Sequence, residues 1–336
     1  MYNFSTATRP RARPCCPEKK MEKIEEEPAS LLYDNTKKAV IDAGLELKKN
    51  EWSAYDIVIS TDEVRQWAEL PEAKRHFLTL ILVFFAAADG LVNNNLKKFI
   101  DRITCQTVQG YFLNQASGEV THQQAYRRLI DTFLGPSRIA DVLEMLKSTP
   151  AIAKKIEWSQ KWFGDPACPL GHALFANVIL EGIFFRSSFC GIRRLELDRV
   201  CQSIPKFNEY IMLEEDLHMK NGAMIFATYI EKTRPSTETA HAMVDEAVAI
   251  EEDFFRTCAA MGYKDISEEE IARYIRFEAN RVLVLSGYER LYDVPDTCPL
   301  EIMNRADLVR SDDFQARRST EYMLGLVGRT DVGVNW

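Results

Sequence analysis

An all-α helical bundle enclosing a buried di-metal carboxylate site is the fold this sequence predicts, and three observations predict it. From Leu31 to about Arg305, apolar residues recur at helical spacing between short polar breaks, the pattern of amphipathic and core helices. Turn pairs such as Asn-Gly between alternating strands, the mark of hairpins, are absent. Two distant segments, Glu119-Val120-Thr121-His122 and Glu215-Asp216-Leu217-His218, repeat Glu-x-x-His. Three residues is just under one helical turn, so each pair aims a carboxylate and an imidazole from one helix face at one place.

Residues 1 to about 30 hold Arg-Pro-Arg-Ala-Arg-Pro and then a Lys/Glu-rich run, too few apolar groups to order themselves, and read as a mobile tail. The helical domain covers 31–310. Its expected helices include Thr61–Glu69. Glu72–Asp89 follows as a core helix, because its apolar run from Phe77 to Ala88 is too short to span a bilayer. Asn93–Leu134 carries the first Glu-x-x-His pair, with Gly118 the point at which it would be interrupted. Pro136–Leu146 and Ile152–Trp162 are shorter periodic stretches. His172–Cys190 includes the apolar run Ala173 to Phe185, with Glu181 inside it. Asn208–Glu231 holds the second pair, and Ser236–Met261 and Ser267–Leu291 complete the bundle. The last stretch, 311–336, has several glycines and little periodicity and ends Val-Gly-Val-Asn-Trp, so it reads as a flexible tail that docks on another protein.

An apolar fraction of 46% and a charged fraction of 27% are those of a globular protein. A net charge of −8 gives no basic stripe for nucleic acid, and no segment reads as a membrane anchor. Cysteines scattered at 15, 16, 105, 168, 190, 201, 258 and 298, with no signal peptide ahead of them, fit a reducing cytoplasm better than a disulfide framework. The absence of Cys-x-x-Cys argues against structural zinc or an iron–sulfur cluster.

Carboxylates can bridge two cations and imidazoles can cap one, so two Glu-x-x-His helices and single acids from two others can hold metal ions roughly 3.5 to 4 Å apart. Glu181 and Asp89, which closes the run Phe77 to Ala88, supply those acids; left unpaired in apolar helices, they would be costly to bury. Oxygen-rich ligation with some imidazole suits iron or manganese. One Glu-x-x-His alone occurs by chance on solvated faces, but of five histidines in the chain two fall in these pairs. Tyr126 follows His122 by four residues and so shares the face of Glu119. Phe185 and Phe189 share that of Glu181, and Ile211 stands one turn before Glu215. Read locally, Asp89-Gly90 is a turn that ends a core helix. On the same terms Tyr126 is a core tyrosine with a satisfied hydroxyl, and Trp52 an ordinary packed aromatic.

In combination these residues resemble the small, radical-generating subunit of class I ribonucleotide reductase, in its eukaryotic and viral form. The resemblance is carried by Phe-Phe-Ala-Ala-Ala-Asp-Gly-Leu-Val (84–92), Glu-Val-Thr-His-Gln-Gln-Ala-Tyr (119–126), Leu-Glu-Gly-Ile-Phe-Phe (180–185), Glu-Glu-Asp-Leu-His (214–218) and Arg-Ser-Thr-Glu-Tyr (318–322). It implies a ferritin-like bundle with two iron ions per chain, or manganese in their place, on Asp89, Glu119, His122, Glu181, Glu215 and His218. It implies Tyr126 as the stored radical and Trp52, Glu214 and Tyr322 as the transfer path, thereby reversing the local readings of Asp89, Tyr126 and Trp52. The partners it implies are a large subunit, bound through the C-terminal tail, and a second copy of the chain. Glu214 stands where the family usually has Asp, so a longer arm must reach His122 or Trp52 differently. The stretch after Trp52 lacks the family's Glu-Glu-Val-Asp, and Asp56 there reads as a surface or helix-entry acid. Two other functions are carried by the same fold: a degenerate partner storing no radical, opposed by the retained ligands and Tyr126, and a di-iron oxidase or storage protein, opposed by the tail with Tyr322.

Overall fold

A computed structural model of the chain describes Ile24 and residues 32–303, and among these it is helical with no strand. Eleven α-helices follow one another: α1 (Lys38–Lys49), α2 (Thr61–Glu69), α3 (Glu72–Ile100), α4 (Gln106–Phe133), α5 (Ile139–Ser148), α6 (Pro150–Phe163), α7 (Leu170–Ile183), α8 (Arg186–Asp198), α9 (Ser203–Tyr229), α10 (Thr237–Ala259) and α11 (Glu268–Leu285). The expected tails, 1–30 and 311–336, lie outside the described residues apart from Ile24.

The core is a ring of four helices, α3, α4, α7 and α9. α3 packs along α4 and α7 along α9, while contacts of α4 with α9 and of α3 with α7 close the ring. α1 covers α4 and α9, α6 and α10 cover α3 and α7, and α11 lies against α7, α9 and α10. Helix α7 is buried at every position from Leu170 to Ile183 but His172, because neighbours surround it on nearly all sides. Two segments, Glu72–Lys98 and Leu170–Asp198, are apolar and long enough to cross a membrane, but 67% and 100% of their apolar windows are buried inside this fold; they are its core.

Local chemistry sets several boundaries. The Ser236 hydroxyl accepts from Thr239 N–H at the start of α10, and Ser267 and Glu270 form a reciprocal capping box at the start of α11, each cap contributing about 1 kcal/mol. At the end of α11, Gly287 takes φ +79° and Tyr288 N–H reaches back to Leu283 O at 2.9 Å. This left-handed stop ends the helix at Leu285, short of the expected Leu291.

Lys38–Lys49, which the expected helices did not include, is α1; it buries Val40, Ala43 and Leu47. Three other expectations are corrected. Asp89 and Gly90 do not form a turn, for α3 runs through them to Ile100. Asn95 is held inside it by donating to Ser159 Oγ of α6 at 2.7 Å, and the reversal comes at 101–105, where Gln109 Nε2 donates to the Ile100 and Ile103 carbonyls. α4 passes through Gly118 without interruption. The helix expected over His172–Cys190 is instead broken at Phe184 and Phe185 into α7 and α8.

Candidate metal centre

Each helix of the inner ring sends a candidate ligand inward. Asp89 comes from α3, Glu119 and His122 from α4, Glu181 from α7, and Glu215 and His218 from α9, and none is more than 1% exposed. Their ligand atoms gather in two groups, Asp89–Glu119–His122 and Glu119–Glu181–Glu215–His218, in each of which all atoms lie within 4.8 Å of one another. Glu119 belongs to both. His122 Nδ1 is 3.3 Å from Glu119 Oε2 and 3.0 Å from Glu215 Oε1, and His218 Nδ1 is 3.1 Å from Glu119 Oε1. The i, i+3 spacing therefore does on each helix what the sequence predicts: it puts both side chains on one inward face.

The residues fit a pair of divalent cations. Asp89 Oδ2, both oxygens of Glu119, Glu181 Oε2 and His122 Nδ1 are buried without a hydrogen-bond partner, a costly state that metal ligation would relieve. Protons partly relieve it in the metal-free protein. Burial, reinforced by the charge of Glu119, pushes the Asp89 carboxyl well above its usual range, and burial with the charge of Glu215 does the same to Glu181. For His218, burial acts to lower the pKa, but the carboxylates of Glu119 and Glu215 outweigh it and hold the ring at about 9. His122 is raised for the same reason by Glu119, Glu214 and Glu215. Glu215, despite burial, is held well below the usual range by the neighbouring Glu181 carboxyl and the imidazoles of His122 and His218.

Tyr126 packs its ring on Phe85 at a centroid separation of 4.6 Å and 11° between planes. Phe85 in turn meets Phe185 at 5.8 Å and Phe189 at 5.2 Å. The Tyr126 hydroxyl is buried with no hydrogen-bond partner, contrary to the local reading of a satisfied core tyrosine. Burial first, then the carboxylates of Asp89, Glu215 and Glu119, push its pKa well up, so the phenol keeps its proton.

On the other side of His122 lies Trp52. Its indole Nε1 donates to Glu214 Oε2 at 3.1 Å, and the same oxygen is 2.6 Å from His122 Nε2. One oxygen on the longer glutamate arm thus joins both partners. The indole stacks over the His122 ring at 6.4 Å and is enclosed by Phe207 and Tyr210. Arg128 pins the loop after Trp52 by donating to the Ala54 and Ile57 carbonyls. Asp56 closes a turn there, accepting from Ser53 N–H at 2.9 Å, away from the carboxylate cluster.

The structure thus brings together nine of the ten residues singled out from sequence, while Tyr322 lies outside the described residues. Sequence reasoning missed Gln115, whose Nε2 donates to Glu181 Oε1 at 2.8 Å, and Phe85. Each sits one helical turn before a candidate ligand, Gln115 before Glu119 and Phe85 before Asp89, and that spacing was the available signal.

Comparison with known proteins bears on this arrangement. The family described as "Ribonucleotide reductase, small chain" matches residues 32–299. Ribonucleoside-diphosphate reductase subunit M2 of Danio rerio is 31% identical over 321 residues, covering 92% of this chain and 81% of that protein. Among solved structures, the ribonucleotide reductase R2 subunit from Clostridium botulinum superposes with a TM-score of 0.75 at 21% identity, covering 83% of this chain and 92% of that one. The Rnr4 homodimer of Saccharomyces cerevisiae gives 0.73 at 18% identity, covering 88% and 92%. At these identities the two structures speak to the fold alone.

Proposed function

This chain belongs to the family of ribonucleotide reductase small chains, and from that premise we propose that it is an active radical-storing subunit with Tyr126 as its radical site. It is the small subunit of ribonucleoside-diphosphate reductase and works with a large subunit, which binds and reduces the nucleotide. The observation that carries the proposal is the combination of unpartnered ligand atoms with an unpartnered, ring-flanked phenol on the same helix.

In this reading Asp89, Glu119 and His122 hold one metal ion, and Glu119, Glu181, Glu215 and His218 the other. The donor set suits iron, with manganese the alternative. A bound ferrous pair with dioxygen supplies the oxidising equivalents for Tyr126. Phe85, Phe185 and Phe189 keep water from the ring. Glu214 accepts from His122 Nε2–H, which fixes the tautomer that leaves Nδ1 for the metal. The same Glu214 oxygen accepts from Trp52 Nε1–H, so a continuous hydrogen-bonded path leads from the ligand His122 outward. Tyr322 in the tail continues the path to the large subunit. Retention of every ligand type and of Tyr126 favours this reading over a degenerate partner.

The test is electron paramagnetic resonance after aerobic reconstitution with ferrous iron. The wild-type chain should develop a stable tyrosyl radical with about two metal ions bound. Tyr126→Phe should keep the metals and lose the signal. A full-strength radical in that variant would move the radical elsewhere.

A further inference from the structure

The break between α7 and α8 begins three residues after Glu181 and is made without glycine or proline at Phe184 or Phe185. Breaking a helix inside a core frees backbone groups that cannot reach water. Here buried charges take them. Lys155 Nζ of α6 donates to Phe184 O at 2.7 Å. Glu251 Oε1 of α10 accepts from Ser187 N–H, in the first turn of α8, at 2.9 Å. The two side chains pair with each other at 2.6 Å and are 2% and 0% exposed. On the opposite side, buried Arg186 donates from Nε to Gly182 O at 3.0 Å and from Nη2 to Glu181 O at 3.3 Å. Glu278, 3.9 Å away, and Asp216, 4.0 Å away, flank its guanidinium.

Such charges are a poor way merely to fill a core, since a buried ion pair can often be replaced by apolar groups without loss of stability. What they do here is hold one geometry. They bear on the backbone of Glu181 itself and on the segment that presents Phe185 towards Phe85 and the Tyr126 ring.

We propose that Lys155 and Glu251, with Arg186 opposite, are positioning residues for the metal centre: they lock the α7–α8 break so that the Glu181 carboxylate is held ready for the second metal ion. The proposal rests on the two-metal reading above. Fixed orientation of a ligand by its supporting contacts is worth about 10- to 100-fold in metal affinity.

The test is a Mn(II) titration of metal-free protein, followed by calorimetry and electron paramagnetic resonance, on the wild type and on Lys155→Met, Glu251→Gln and the double variant. Each single change breaks a buried pair and should lower the melting temperature. The double change removes both charges and should regain much of it. In all three, the first Mn(II) should bind as in the wild type, at the Asp89–Glu119–His122 group. The second should bind about 10- to 100-fold more weakly, so that a six-line signal of isolated Mn(II) persists at two equivalents where the wild type gives a spin-coupled one. A double variant that takes both ions with wild-type affinity would overturn the positioning role and leave the two-metal reading intact. A wild-type chain that takes only one ion would remove that reading, and the proposal with it.

Discussion

Glu214 shows how much a single atom carries. Its Oε2 serves Trp52 and His122 together, so Glu214→Ala leaves two buried N–H donors without an acceptor. That should cost about 1–3 kcal/mol in chemical denaturation and reduce nucleotide reduction with the large subunit to near background, while a radical still forms on Tyr126. Protons set a second expectation. His218 is held protonated up to about pH 9 in the metal-free chain, and Asp89 and Glu181 are raised as well. Metal must displace these protons, so affinity should rise with pH towards 9, and calorimetry in buffers of different ionisation enthalpy should register proton release. Unchanged affinity between pH 6.5 and 9 would contradict this ligand set. The Glu-x-x-His pairs were legible in the sequence because i, i+3 spacing alone determines their direction. Asp89 and Tyr126 were not legible locally: whether Asp-Gly turns or continues a helix, and whether a phenol finds a partner, depends on helices distant in sequence.

At the scale of elements, the apolar periodicity revealed the helices but not where they stop. The reversal between α3 and α4 carries no glycine or proline; it is made by Gln109 reaching back to two carbonyls. The break between α7 and α8 depends on charges from α6 and α10, which no local window contains. α1 went unrecognised because its buried stripe of Val40, Ala43 and Leu47 is narrow and set among charged residues. Gly182, by contrast, has a purely steric role: a Cβ there would sit 2.3 Å from Val282 Cγ2 and 2.9 Å from Met219 Cγ. Gly182→Ala should therefore destabilise the fold by about 1–3 kcal/mol through overpacking, read by denaturant titration. Val282→Ala in the same chain should recover part of that loss.

For the whole molecule, the bundle houses the chemistry and the tail is proposed to deliver it. Residues 311–336 lie outside the described structure, but their glycines and the closing Val-Gly-Val-Asn-Trp support docking on the large subunit. Deleting them should leave metal content and radical unchanged and abolish nucleotide reduction, and a synthetic peptide of this stretch should compete with the intact chain. Full activity of the truncated chain with the large subunit would defeat the assignment. The ring of α3, α4, α7 and α9 has one more consequence, which concerns the order of events during biosynthesis. The candidate ligands are spread from position 89 to 218, so no partial chain that has yet to reach His218 owns the complete centre. On the proposed ligand set, metal would be installed only after most of the polypeptide has been made and folded, and the protein would pass through a metal-free stage that must survive long enough to be loaded. On that reading the protons that burial favours on Asp89 and Glu181, and the neighbouring carboxylates on the two histidines, would act as placeholders during that interval, leaving as the two cations arrive.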